Sequence, residues 1–214
     1  MPRAIIFDMD GVLIDSEEYI CQAAIQYLSE FGVDAQPEDF VPFVGAGEDR
    51  YIGGVAEKYG LNLDLEQAKV RTYTIYGGLI AGRLGPLPGA IEFIRAAREK
   101  GTKLAVASSA DRMKVEMNLR EIGLGKESFG AVICGQDVKH KKPDPEIFLL
   151  AAARLGVTPN ESLVVEDAVN GVRAAKAGGF RCLGITTSFS ARELSEADWT
   201  APDLAHVPAE ALGW

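Results

Sequence analysis

The chain has 214 residues, 47% of them hydrophobic, which is enough to bury one substantial core plus a small appended unit and too apolar for disorder. Twenty-two basic against thirty-one acidic residues leave a formal charge of −9, so the surface repels nucleic acid and anionic membranes, and a phosphate-bearing ligand needs local cations or a metal. The dispersed Cys21, Cys134 and Cys182 lack C-x-x-C spacing and suggest neither a disulfide framework nor a zinc site, while His140 and His206 alone are available for histidine chemistry.

The first element in chain order is AIIF, Ala4 to Phe7, an apolar run of strand length that meets Asp8 at once and Asp10 two positions later. It is too short for a signal sequence, and no later stretch approaches a membrane span, so a soluble, cytoplasmic protein is expected. Residues 16–85 carry helical patterns and no comparable β-branched run. SEEYICQAAIQYLSEFG puts Tyr19, Ala23, Ala24, Tyr27, Leu28 and Phe31 on one face, with Asp15 and Glu18 spaced as a capping box. EDRYIGGVAEKYG and LEQAKVRTYTIYGGLIAG are further helix candidates, the second weakened by its glycines, and GPLPGA reads as a stiff hinge.

Beyond the hinge, apolar strands at 103–108, 131–134, 162–167 and 181–186 alternate with helices in GAIEFIRAAREKG, PEIFLLAAARLG and NGVRAAKAGG. In PEIFLLAAARLG, Asp144 is the expected N-cap, Pro145 the first helical position and Gly156 the stop. This alternation predicts an α/β fold, a Rossmann-like parallel sheet in residues 1–15 and 86–214, with the helical unit 16–85 inserted as a second domain.

In an open parallel sheet, ligands sit outside the carboxyl ends of the strands. Those ends carry Asp8 and Asp10, Ser108 and Ser109, Glu166 and Asp167, and the loop KHKKPDP adds Lys142. Taken singly, each has a structural use as a turn, cap or solvated charge. Together they describe one site. Clustered carboxylates repel unless a cation compensates, and a hard, oxygen-ligated ion such as Mg²⁺ fits them. Asp8 is then a candidate nucleophile, Asp10 acid and base, and Ser108 and Lys142 partners for phosphoryl oxygens.

DMDGVLIDS, the serine ending LAVAS, the Lys-Pro of KKPDPEIF and VVEDAVNG resemble the four successive motifs of the haloacid dehalogenase (HAD) superfamily, in its β-phosphoglucomutase-like branch. The resemblance implies the HAD fold with an α-helical cap that contributes substrate contacts. It implies that Asp8 is nucleophile and metal ligand, that Asp10 is acid/base and ligates through its carbonyl, that Ser108, Ser109 and Lys142 bind phosphate, and that Glu166 and Asp167 are magnesium carboxylates. Mutases of this branch carry a histidine where Ile20 stands and a phosphate-binding arginine after a cap glycine; here Gly45 is followed by Glu48 at the matching position and Arg50 two places later.

The expectation is therefore a Mg²⁺-dependent phosphatase of a small phosphorylated metabolite, a sugar phosphate or a relative of one, with a phosphosugar mutase as the alternative. Dehalogenases lack the second aspartate by the same resemblance, so Asp10 argues against that chemistry. A phosphoacceptor module of the receiver type shares the aspartate, hydroxyl and lysine but needs no seventy-residue insertion, and GAGEDR lacks the third glycine of a dinucleotide-binding loop. A HAD-like regulator without turnover would not need every catalytic residue type. No nucleic-acid or membrane partner is expected, and a monomer is the default.

Overall fold

The computed structural model describes residues 2–43 and 47–214, without the side chains of Glu48 and Lys126. Six parallel strands form one sheet: β1 (Ala4–Phe7), β2 (Lys103–Ala107), β3 (Ala131–Ile133), β4 (Ser162–Glu166), β5 (Arg181–Ile185) and β6 (Trp199–Ala201), in the order β3-β2-β1-β4-β5-β6. β1 lies between β2 and β4, with Phe7 opposite Val106 and Val165. Its four side chains are fully buried and alternate between two apolar cores, Ile5 and Phe7 on one face and Ala4 and Ile6 on the other. Period-two alternation with both faces covered is why the strand reads as an unbroken apolar run.

The connection from β1 contains α1 (Glu17–Ser29), α2 (Pro37–Phe40), α3 (Glu48–Lys58) and α4 (Leu65–Ile80). The chain leaving β1 and the chain returning lie side by side, through an Ile14–Pro86 bridge and a Leu87 N–H donated to the Leu13 carbonyl at 2.8 Å. After the return come α5 (Ala90–Glu99), α6 (Arg112–Glu121), α7 (Glu146–Leu155) and α8 (Val169–Ala177) between the remaining strands. The inserted helices share the Ile5/Phe7 core, and α4 packs against α6, where the buried Tyr76 hydroxyl donates to Asn118 Oδ1 at 2.5 Å.

Local chemistry corrects several expectations. Asp15 and Glu18 make no capping box: the N-cap of α1 is Ser16, whose hydroxyl is turned toward Asp10, and the Glu18 carboxylate receives Gln22 instead. Phe31 lies beyond α1 and is half exposed. α7 starts one residue later than expected, with Pro145 at the N-cap, because Asp144 Oδ1 accepts the Glu146 N–H at 3.0 Å in a turn before the helix. Gly156 ends α7 in the left-handed conformation as expected, with φ 65°. Gly77 and Gly78 do not break α4, since they lie in its last turn. α2, α6 and β6 have no counterpart in the sequence reading. Cys134 and Cys182 are buried and Cys21 half-buried, all free thiols. Among the described residues no helix is long and apolar enough to cross a membrane.

Candidate active site

The carboxyl ends of β1, β2 and β4 meet because these strands are neighbours in register. Asp8 follows β1 and is 8% exposed, its N–H held by the Val165 carbonyl at 2.9 Å. Glu166 ends β4 and is 1% exposed; its Oε2 accepts the Ala168 N–H at 2.8 Å. Gly171 in α8 makes room for it, since a Cβ there would fall 1.8 Å from Glu166 Oε1. Lys142 reaches in from the loop before α7, across a cis Lys142–Pro143 bond, and its ammonium donates to Asp8 Oδ1 at 2.5 Å, Glu166 Oε1 at 2.6 Å and the Ala107 carbonyl at 3.3 Å. One buried cation thus serves two buried carboxylates.

Asp167 is the third carboxylate, buried beside Gly11 and receiving the Ser188 hydroxyl. Burial is the largest influence on its carboxyl, and the negative charges of Glu166 and Asp8 add to it, pushing it up to about 8. Burial likewise pushes Asp8 up to about 7, against the pull of Lys142 and with the push of Glu166. Burial opposes the charge on Lys142 too, but Asp8 and Glu166 outweigh it and raise the ammonium further.

Asp10 is held differently. Ser16 donates its hydroxyl to Oδ1, and the Lys114 ammonium from α6 lies 3.2 Å from Oδ2. Ser108 is buried, with its hydroxyl accepting the Ala110 N–H at 3.2 Å; Ser109 is half-buried, and its carbonyl receives Lys141 at 3.4 Å. The nucleophile and acid/base candidates thus have separate cationic partners.

Of the candidates in the inserted unit, Arg50 is not brought to this cluster. Gly45 lies outside the described residues, as does the side chain of Glu48, whose backbone opens α3. Arg50 is exposed and faces Glu57 of its own helix at 3.7 Å and the Phe43 ring. Ile20 is buried in the apolar core at 3% exposure. Lys114, Ser16 and Ser188 escaped the sequence reading. The available signal for Lys114 was a lysine inside the buried stripe Lys114, Val115, Asn118, Leu119 of a helix that was itself missed.

The donor set fits magnesium. Asp8, Glu166 and Asp167 offer only hard oxygen ligands, three carboxylates around the Lys142 ammonium bonded to two of them, a negative excess that a hard dication would offset. A second gathering of ligand atoms, His140, Asp144 and Glu146 within 4.8 Å of one another, is exposed at the start of α7. There Glu146 receives the N–H groups of Lys139 and His140 and Asp144 receives that of Glu146, so both carboxylates already fasten the loop.

The family model for haloacid dehalogenase-like hydrolases matches residues 2–179. The chain belongs to that family. It is 43% identical over 197 residues to the Arabidopsis thaliana protein SUPPRESSOR OF QUENCHING 1, chloroplastic, covering 91% of this chain and 19% of that protein. It is 33% identical over 189 residues to the phosphorylated carbohydrates phosphatase of Thermotoga maritima, covering 88% and 87% of the two chains. The crystal structure of CbbY from Rhodobacter sphaeroides in complex with phosphate superposes with a TM-score of 0.90 at 27% identity over the whole of both chains. The six-stranded parallel sheet flanked by helices is the HAD fold.

Proposed function

We propose that the protein is a Mg²⁺-dependent phosphatase of a small phosphorylated metabolite, a sugar phosphate or a close relative, acting through an aspartyl-phosphate. The observation that carries this reading is the separation of roles: Asp8 bonded to Lys142, and Asp10 fixed by Ser16 and Lys114. The named activity of the Thermotoga relative supports the substrate class.

In this reading an Asp8 carboxylate oxygen bonds to phosphorus as the ester P–O bond breaks, and the protonated Asp10 gives its proton to the departing oxygen, releasing the alcohol. Asp10, now ionised, takes a proton from water as the water oxygen bonds to phosphorus; the Asp8–phosphorus bond breaks, releasing inorganic phosphate and restoring both side chains. Lys142 and Ser108 neutralise and orient phosphoryl oxygens. The magnesium ion, held by Asp8, Glu166, Asp167 and the Asp10 carbonyl, supplies charge stabilisation at those oxygens when bound.

The helical unit 16–85 serves as a cap over the core of residues 1–15 and 86–214. Two contacts between the inserted helices and the strand-end loops support this: Lys69 of α4 lies 3.4 Å from Asp111, and Lys141 approaches Gly47 closely enough that a Cβ there would stand 3.1 Å from its Nζ. The apolar burial of Ile20 favours transfer to water over a mutase.

The test is phosphate release from p-nitrophenyl phosphate with Mg²⁺. Repeated turnover is expected, and Asp8→Asn should abolish it while the melting curve stays cooperative. A near-normal rate in that variant would refute the nucleophile, and stoichiometric release would indicate a phosphoacceptor. A screen of phosphorylated sugars then ranks substrates.

A further inference from the structure

We propose that Lys114 is a positioning residue for Asp10, reaching the acid/base carboxylate from α6 of the sheet domain and fixing the orientation in which it exchanges protons with the leaving oxygen. The inference rests on the phosphatase reading and deepens it.

A carboxylate held at one oxygen can still swing about its last bond. Asp10 is held at both: the Ser16 hydroxyl donates to Oδ1, and the Lys114 ammonium lies 3.2 Å from Oδ2. Ser16 is fully buried and Lys114 is 5% exposed, so both donors come from packed positions. Lys114 lies one turn before Asn118 on α6, and Asn118 receives the Tyr76 hydroxyl from α4. The stem of Lys114 is therefore set where the sheet domain and the inserted helices meet.

The ammonium faces charges from several elements. Asp10 lies on the β1 loop, the Glu17 carboxyl on α1 and the Tyr76 phenol on α4, both close enough for Lys114 to act on them. Glu17 receives the Tyr51 hydroxyl at 2.9 Å, and the Lys114 ammonium is ion-paired with Asp10. Ile20, one turn past Ser16, is apolar and offers Asp10 no hydrogen bond.

Positioning of an acid shows in its dependence on the leaving group. Phenoxide leaves with a basicity near that of tyrosine, about 10, and profits from a proton; p-nitrophenoxide is stable enough to leave without one. Because kcat/KM covers only the steps through departure of the leaving group, it isolates the acid role from the later attack of water.

With Mg²⁺ present, Lys114→Met should lower kcat/KM for phenyl phosphate about thirtyfold and for p-nitrophenyl phosphate about threefold or less, a fraction of what a general acid contributes. Lys114→Arg, which keeps the charge, should recover part of the phenyl phosphate loss, and Ser16→Ala should show the same preference. Equal losses on both substrates, or none, in a variant that melts cooperatively would overturn the positioning role. If Lys114→Met does not fold, Lys114→Gln carries the same comparison. Failure of the unmodified protein to turn over either substrate would sink the phosphatase reading and this inference together, whereas normal turnover with equal losses would sink this inference alone.

Discussion

Gly11 has a φ of +77°, and a Cβ there would stand 2.0 Å from Asp167 Oδ2. Gly11→Ala therefore meets two separable penalties. Left-handed backbone costs an L residue about 1–2 kcal/mol. The Asp167 carboxylate must also retreat by more than an ångström to reach ordinary contact, which begins at 3.4 Å. Gly32 provides the matched control, with a φ of +76° and nothing within 4 Å of its Cβ position. Gly32→Ala should lose about 1–2 kcal/mol, a fall in Tm of about 2–8 °C for a chain of this size, and Gly11→Ala at least as much. Only Gly11→Ala disturbs the proposed metal carboxylate, and a misplacement of about 1 Å can cost about a hundredfold in rate. Steady-state hydrolysis of p-nitrophenyl phosphate across a Mg²⁺ titration, with thermal melts of both variants, reads the two penalties apart. The expected pattern is a melting loss in both variants, at least as large in Gly11→Ala, and a rate deficit confined to Gly11→Ala. Wild-type turnover and Mg²⁺ response in a folded Gly11→Ala protein would refute the placement of Asp167 in the site.

Three further outcomes follow from the same structure. Interconversion of β-glucose 1-phosphate and glucose 6-phosphate should be undetectable in a coupled assay, given Ile20 in the apolar core; efficient isomerisation would restore the mutase reading. Tyr76→Phe leaves buried Asn118 without its donor and should cost about 1–3 kcal/mol in denaturant unfolding, with an unchanged midpoint arguing that the α4–α6 hydrogen bond is inconsequential. Asp39 is held down to about 2, chiefly by the Gln36 N–H and then by Lys58 and Tyr59. A depressed carboxyl stabilises the fold above its ordinary value of about 4 and loses that contribution as pH falls toward about 2. The Tm gap between wild type and Asp39→Asn should accordingly be full at neutral pH and close across that acid window; a constant gap would contradict the linkage.

The sheet was legible because β1, β2, β4 and β5 are buried on both faces over most of their length, and an unbroken apolar run is what such burial demands. β6 was not: Trp199–Ala201 is a three-residue edge strand with an exposed centre, too short to leave a pattern. The strand-end carboxylates and Lys142 could be read because chemistry needed them at fixed places on a predicted sheet. Lys114 could not, since its pairing with Asp10 depends on α6 coming within reach of the loop after β1, a tertiary fact with no local signature. The capping box at Asp15 and Glu18 failed because the Ser16 hydroxyl was drawn to a partner six residues back in the same β1–α1 connection.

The flanking of β1 by β2 and β4 also bears on how the molecule comes into being. Asp8 finds its counterion 134 positions further along the chain, so that partner arrives only with the chain that follows β3, after β1, β2 and β3 have been made. Contacts this distant in sequence form late and slowly. A nascent chain that has not yet reached Lys142 and Glu166 therefore holds Asp8 without its two buried neighbours, and the cluster assembles only when both have joined the sheet.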